Sequence, residues 1–388
     1  MNERLRLAAF YFIYFASVGA ITPYFGLYFK SLGADASQIG LIMALLQVMR
    51  LFSPNLWGHL ADRYGRRSSL VLIAALGSLI AYTGLFISLN LFVLIPVIAI
   101  FSFFWNAPLP LVEAATLNFL GAKTEGYGHI RLWGSIGFIL SVVAIGIFLD
   151  KHAVSGLLWV TFGLLVGIAG TSFYLPVTGP VAVVGLPEKK VSSKDVVKIS
   201  IFLFACFLMS AAHGIYYAFY SIYLVDNGYS RGAVGVLWAL GVLSEIGIFL
   251  VMPRLWTLFG VRRLLLAAFL GAVLRFLLIG YAIRYSGLII FAQTLHALTF
   301  AVFHASAVTV IHRFFPGRSQ ARGQALYTSI GYGAGGSVGG LFGGILWDSF
   351  GPAFMFGAAA FSAFLGFILI KVCLRESSAT GGTMLNMG

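Results

Sequence analysis

The chain has 388 residues, of which 60% are hydrophobic and only 10% are charged, and its formal net charge is +13. Soluble domains of this length carry about a quarter charged residues, so the composition excludes an ordinary soluble globular protein. The basic surplus falls in short segments between apolar runs, which excludes a nucleic-acid partner as its explanation.

Apolar runs recur along the whole chain, each of about 20 residues, and each can cross roughly 30 Å of hydrocarbon. Backbone groups find no water inside lipid, so such runs must form helices. The sequence therefore predicts an all-α membrane protein with twelve transmembrane helices. In chain order, the predicted helices span 5–29, 38–60, 68–89, 91–119, 127–149, 155–176, 199–224, 232–253, 263–284, 287–314, 323–347 and 351–374.

The basic residues predict how the chain is oriented. With the N-terminus in the cytoplasm, eighteen of the 25 Lys and Arg lie in cytoplasmic loops and tails, and four lie in outer loops. This positive-inside bias predicts a multi-pass protein of the inner or plasma membrane with both termini in the cytoplasm. The first apolar run is too long for a signal-peptide core, so we expect it to be retained. The two cysteines, Cys206 and Cys373, fall in different predicted helices and indicate no disulfide or metal site.

An internal repeat relates the two halves of the chain. A shift of 195 residues pairs Tyr28 with Tyr223, Gly33 with Gly228, Gly40 with Gly235, Ala44 with Ala239, Leu45 with Leu240, and Gly65 with Gly260. We therefore predict an N-terminal six-helix bundle over 1–178, a cytoplasmic linker over 179–198, and a C-terminal six-helix bundle over 199–388. Two such halves around a site near the middle of the membrane are typical of secondary transporters, which rock the halves to alternate access.

The loop after the second predicted helix carries a motif of glycine, acid and arginine. It reads Gly58, His59, Leu60, Ala61, Asp62, Arg63, Tyr64, Gly65, Arg66, Arg67. This loop resembles the one between the second and third helices of the major facilitator superfamily, and the resemblance implies the fold of that superfamily. We interpret the loop as a conformational latch, whose acid and arginines bridge helix ends in one state and separate in another. The residues assigned to the latch are Gly58, Asp62, Arg63, Gly65, Arg66 and Arg67.

A second motif lies in the fourth and fifth helices, where Arg131 follows Glu113 by 18 residues and Phe138 follows Arg131 by seven. It resembles the phenylpropionate permease group and its relative lactose permease, in which a similar pair and an aromatic residue bind substrate. Glu113 and Arg131 lie at similar depth on antiparallel neighbours, so we expect them to pair. They form either a structural salt bridge or a site where Arg131 donates a forked hydrogen bond to substrate. Phe138 either stacks on a substrate ring or has a lipid-facing or packing role.

A third motif concerns proton coupling. Within these families, His296 resembles the coupling histidine, and Glu245 and Arg275 fall near the corresponding acid and arginine. Lactose permease has a carboxylate where this chain has Thr299, so the resemblance leaves the proton carrier open. His304 follows His296 by eight residues, which in an α-helix is a rotation of about 80°, so no single stripe is expected.

Arg50 is a further candidate for the substrate site. It occupies the position equivalent to Glu245 under the shift of 195 residues. We expect the two side chains either to pair in one conformational state or to have separate partners. Charges inside a membrane are costly unless they are paired or hydrated, at about 2.5–3.5 kcal/mol each.

These features predict a proton-coupled symporter that imports a small organic solute as a functional monomer. The helices carry three arginines and two glutamates, Arg50, Arg131, Arg275, Glu113 and Glu245, and an aromatic carboxylate would neutralise the excess arginine. A sugar or nucleoside symporter and a proton-driven efflux antiporter are the alternatives. No motif of an enzyme or of a nucleotide- or metal-binding site is present, so we expect a transporter energised by the proton gradient without a cofactor.

Overall fold

The structure is a computed structural model, and it describes residues 2–65, 67–87, 90–121, 126–175, 193–317 and 319–374. These residues are almost entirely helical, and they include nine helices long and apolar enough to cross a membrane. The helices are α1 (Glu3–Ser31), α2 (Ala36–Tyr64), α3 (Arg67–Thr83), α4 (Leu91–Trp105), α5 (Pro108–Leu120), α6 (Tyr127–Lys151), α7 (Gly156–Ser172), α8 (Ser193–Asp226), α9 (Arg231–Tyr281), α10 (Ser286–Thr294), α11 (Phe303–Phe314), α12 (Gln320–Tyr327), α13 (Gly336–Phe350) and α14 (Pro352–Cys373).

Three of the predicted spans contain interruptions that hydropathy did not reveal. The fourth breaks into α4 and α5 just before Pro108, which has no backbone N–H to continue the ladder of α4. The tenth and eleventh contain π-helical segments, Ala297–Val302 and Thr328–Gly335. Conversely, the eighth and ninth spans run together as α9 and are divided only where Gly260 leaves the helical conformation, with φ 72° and ψ 157°.

The predicted linker over 179–198 lies largely outside the described residues, but its end is part of a helix. α8 already begins at Ser193, before the predicted start at residue 199. Hydropathy marks only the part of a helix that lies in lipid, so it misses polar first turns that project from the membrane. The helix therefore overlaps the predicted linker over 193–198, and the rest of that prediction lies outside the described residues.

The halves approach each other closely at two equivalent places, α2 against α13 and α6 against α9. A Cβ atom at Gly40 would lie 3.2 Å from the Cα of Gly344, and one at Gly235 would lie 2.5 Å from the carbonyl oxygen of Val142. Both positions therefore need glycine because backbone meets backbone there. The repeat that pairs Gly40 with Gly235 thus has a physical cause.

The start of α2 is held by a carboxylate from the other half. Asp348 accepts hydrogen bonds from the backbone N–H groups of Ala36 at 3.2 Å and Ser37 at 2.8 Å, and from the Ser37 hydroxyl at 2.7 Å. Asp35 caps the same helix by accepting from the N–H of Gln38. The first N–H groups of a helix have no partner within it, so Asp348 satisfies groups that the helix cannot.

The start of α9 is held in the same way. Asp150 accepts from the backbone N–H groups of Arg231 at 2.7 Å and Gly232 at 2.9 Å. We call Asp348 of α13, which holds the start of α2, and Asp150 of α6, which holds the start of α9, the aspartate clamps. Lys30 and Asp226 form an ion pair on the same face. The hydrogen bonds that the described residues show between the halves lie on this face, opposite the termini, so the halves are held together there.

Candidate functional site

Glu113 and Arg131 are near each other but do not form the direct pair that the sequence predicts. The ion pairs within 4 Å in the described part of the chain do not include them. Glu113 on α5 instead accepts a long hydrogen bond, 3.5 Å, from the hydroxyl of Tyr127 on α6. The guanidinium carbon of Arg131 lies 3.8 Å from the ring centre of Phe15 and 5.8 Å from that of Tyr11, both on α1. Cation–π contact with α1 has replaced the expected salt bridge.

A glycine one turn after Arg131 makes this arrangement possible. A Cβ atom at Gly134 would lie 2.7 Å from the ring of Phe15 and 2.8 Å from a terminal nitrogen of Arg131. Any larger residue would push the ring and the guanidinium apart. The sequence carries this signal, but glycine is so frequent in the chain that spacing alone does not isolate it.

Phe138 does not face an open site. Its side chain is buried, 7% exposed, within the large apolar core. A Cβ atom placed at Gly19 of α1 would lie 2.9 Å from the carbonyl oxygen of Phe138. The structure therefore favours the packing interpretation, in which Phe138 holds α6 against α1.

Arg50 has a neutral partner in the same half. Its Nε donates to the side-chain oxygen of Asn106 at 3.3 Å. The amide of Asn106 donates in turn to the carbonyl and hydroxyl oxygens of Ser102, at 2.8 and 3.0 Å, which fixes its orientation. Glu245 is engaged elsewhere, so in this state Arg50 and Glu245 have separate partners.

Glu245 and His296 meet in the C-terminal half. Oε1 of Glu245 on α9 lies 2.7 Å from Nε2 of His296, and the two side chains are 14% and 7% exposed. The structure thus brings together two groups that the sequence predicts for proton coupling.

Arg275 lies next to this pair and is completely buried. Its terminal nitrogens donate to Thr299 Oγ1 at 3.3 Å and to Gln293 Oε1 at 3.5 Å. Its guanidinium carbon lies 4.2 Å from the ring centre of Tyr216, whose hydroxyl also donates to Gln293 at 3.0 Å. Thr299, the departure from lactose permease, therefore serves as a neutral acceptor for Arg275.

His304 belongs to a separate cluster of aromatic hydroxyls. Its Nδ1 lies 3.0 Å from the hydroxyl oxygens of both Tyr327 and Tyr332. The rings of His296 and Phe300 are stacked with centres 5.5 Å apart, and those of Phe300 and His304 at 6.2 Å. The two histidines are thus linked through the ring of Phe300, and the π-helical segment Ala297–Val302, which takes more residues per turn than an α-helix, lies between them. That they form no single stripe stays a prediction.

The latch loop is described except for Arg66, which lies outside the described residues. Arg67 donates to Asp62 at 3.2 Å; the arginine side chain is 9% exposed and the acid 74%. Gly65 ends α2 in the left-handed conformation, with φ 65°. The guanidinium carbon of Arg63 lies 5.7 Å from the ring centre of Tyr64. At Gly58, no atom of a neighbouring element lies within 4 Å of the position that a Cβ atom would take. A change of state at this loop stays a prediction.

Sequence reasoning missed the neutral polar residues of the site, chiefly Asn106, Gln293 and Tyr216. Asn106 and Gln293 are buried amides within predicted spans. Amides are costly in hydrocarbon without a partner, so a search for neutral polar residues in apolar runs would have found them.

The chain is similar to known proteins over nearly its whole length. The model of the MFS_1 like family matches residues 4–358. The chain is 27% identical over 354 residues to the probable 3-phenylpropionic acid transporter of Escherichia coli (strain K12), which covers 89% of this chain and 91% of that protein. It is 27% identical over 385 residues to maltose permease of Geobacillus stearothermophilus, covering 96% and 95%.

A solved structure has the same fold. The crystal structure of the nucleoside transporter NupG superimposes with a TM-score of 0.81 at 19% sequence identity, covering 96% of this chain and 98% of that chain. At this level of identity the likeness concerns the fold alone.

Proposed function

The chain belongs to the MFS_1 like family, and from that premise we propose that it imports a small aromatic carboxylate, such as 3-phenylpropionate, together with protons. It is a multi-pass membrane transporter and not an enzyme. In this proposal the proton gradient supplies the energy and no cofactor is needed. The protein acts as a monomer in the inner or plasma membrane, with both termini in the cytoplasm.

The observation that carries the carboxylate is the free guanidinium fork of Arg131. Among the described residues no carboxylate lies within 4 Å of it, and it rests on the ring of Phe15. A charged group in a membrane interior needs a counter-charge or water. A substrate carboxylate would accept two parallel hydrogen bonds from the fork, and its aromatic ring would find apolar rings on α1.

The charge balance of the helices supports an anionic substrate. Arg50, Arg131 and Arg275 oppose Glu113 and Glu245, which leaves one positive charge with the histidines neutral. One carboxylate cancels this excess. A neutral solute would leave it uncompensated.

The contact between Glu245 and His296 supports proton coupling. Two buried groups that share one hydrogen bond of 2.7 Å can bind or release a proton as access changes. Arg275 lies beside them without a carboxylate of its own within 4 Å among the described residues, so it can stabilise the ionised form of Glu245.

Sugar symport is the second candidate, and the likeness to maltose permease favours it. Glu113 and Arg131 could hold sugar hydroxyls between them, since an acid and a guanidinium offer an acceptor and donors. Nucleoside symport would use the same groups, and an efflux antiporter would use the same architecture in reverse.

The test is proton influx into proteoliposomes that contain the purified protein and an internal pH dye, with empty liposomes to correct for passive acid permeation. Adding 3-phenylpropionate should acidify the interior, and maltose or uridine should not. Arg131→Lys keeps the charge but loses the fork, so it should abolish the response at normal protein content. Acidification by maltose or uridine instead would show that the substrate is a sugar or a nucleoside. A full response in Arg131→Lys would refute the role of the guanidinium fork.

A further inference from the structure

Polar atoms without a hydrogen-bond partner in the protein are concentrated beside the Glu245–His296 pair. They are His296 Nδ1, His213 Nε2, Arg275 Nε and Gln293 Nε2, and all are buried. Buried polar groups nearly always have a partner, which is often an ordered water molecule. So many in one place indicate a hydrated site rather than a packing defect.

His213 on α8 is the member of this group to which no role has been given. It is 5% exposed, and its Nδ1 lies 2.9 Å from the carbonyl oxygen of Met209. A carbonyl only accepts, so Nδ1 carries the hydrogen and Nε2 presents a lone pair. The ring centres of His213 and His296 lie 6.1 Å apart. One water molecule can bridge nitrogens that are about 5–6 Å apart, since each hydrogen bond spans about 2.9 Å.

A small cavity lies against His213. Its volume is about 10 Å³, and its lining includes Gln47 and Thr299. Space of this order holds about one water molecule. Gln47 Oε1 also lacks a partner in the protein. Gln47 is on α2, so the cavity is lined by residues of both halves.

We propose that His213 is a proton-carrying residue, which exchanges a proton with the Glu245–His296 pair through a water molecule between the two histidine rings. The inference rests on the proposed function, because it extends proton symport by one site. The proton leaves Nδ1 of cationic His296, the water accepts it, and the water passes one of its own protons to Nε2 of His213. His296 becomes neutral, His213 becomes cationic, and the water is unchanged.

The groups that face His213 from the surrounding helices suit this exchange. They are Arg275 on α9, His296 before the first π-helical segment, Tyr217 on α8 and Tyr332 on the second π-helical segment, and Glu245 on α9 contacts His296 in turn. Arg275 and Glu245 cancel each other, so a loaded proton adds one positive charge, and either histidine can hold it. Rocking of the halves would move Gln47 away from this cavity, so the hydration beside His213 would depend on the conformational state.

The test separates proton movement from substrate movement. Exchange of labelled for unlabelled 3-phenylpropionate at equal pH needs no net proton transfer, whereas proton influx does. His213→Gln and His213→Asn keep polar groups but cannot carry a proton. We expect both to lower substrate-driven proton influx by about tenfold or more, while exchange stays within about twofold of the wild type. His312→Gln, at an exposed histidine of α11, is the control and should match the wild type in both assays.

Three results would contradict parts of this scheme, and they differ from one another. Wild-type proton influx in both His213 variants would overturn the inference alone. Loss of exchange together with influx in both variants would also overturn it, because it would give His213 a structural role. A wild-type protein that exchanges substrate but moves no protons would refute proton symport itself.

Discussion

Removing the two aspartate clamps should open the face that they hold closed. Asp150→Ala and Asp348→Ala each take a carboxylate from two backbone N–H groups at the start of a helix in the opposite half. Loss of such a cap costs about 0.5–2 kcal/mol. Both aspartates are exposed, and water replaces part of what they provide, so we take about 1 kcal/mol for each.

The two clamps act on one equilibrium and lie far apart in sequence, so their effects should add. The double variant then shifts the free-energy difference between closed and open by about 2 kcal/mol, which is a change of roughly 30-fold in their ratio. Each single variant should shift it by about half as much in free energy. The pseudo-symmetry of the clamps predicts that the two single variants behave alike.

Distances between spin labels at Lys151 and Arg284 measure this change, because the two residues are exposed on that face in opposite halves. The labels need a background of Cys206→Ser and Cys373→Ser, since these are the chain's cysteines. Pulsed electron resonance should show a longer-distance population that grows from wild type to single to double variant. Glu3→Ala removes an acid near the N-terminus and should leave the distances unchanged. A double variant with the wild-type distribution would show that the clamps do not hold the face closed.

Two further substitutions test the charges of the site. Gly134→Ala places a methyl group against Phe15 and Arg131 and should raise the KM for 3-phenylpropionate by about tenfold, or about 1.4 kcal/mol. Gly163→Ala is the control and should leave KM unchanged, because no atom lies within 4 Å of a Cβ atom placed there. Equal KM values in the two variants would contradict the cation–π arrangement. Thr299→Asp places a carboxylate within reach of Arg275 and removes the excess positive charge of the helices. Uptake of the anionic substrate should therefore fall at unchanged protein content. Uptake equal to that of the wild type would argue against the charge balance.

The sequence predicted features that depend on local composition or on a motif. Apolar runs predicted the order of the helices, and the motif in the second loop predicted the superfamily, which the family match confirms. The prediction that the chain is not an enzyme is confirmed on the same ground. The predicted linker overlaps the start of α8, since the polar first turns of that helix resemble a loop in a hydropathy scan.

Features that depend on side-chain direction or on contacts between halves were not predictable in this way. The sequence places Glu113 and Arg131 at similar depth, but the guanidinium turns to Phe15 because Gly134 leaves room for it. The clamp residues Asp150 and Asp348 lie at helix ends, where an acidic side chain is usually exposed to solvent and has no structural partner. Only the paired halves bring each to the start of another helix.

The π-helical segment Ala297–Val302 has a consequence for how the tenth span can change. Its backbone hydrogen bonds reach one residue further back than those of an α-helix, so it holds one residue more than its length would otherwise need. If these bonds shifted to the α pattern, everything beyond them would rotate, and the eight residues from His296 to His304 would then turn the second histidine by about 80° from the first. The stacked column from His296 to His304 therefore reports the hydrogen-bonding register of the backbone. Deleting one residue within the segment should fix the α register and keep the histidines on one face, because the seven residues that then separate them complete two turns to within about 20°.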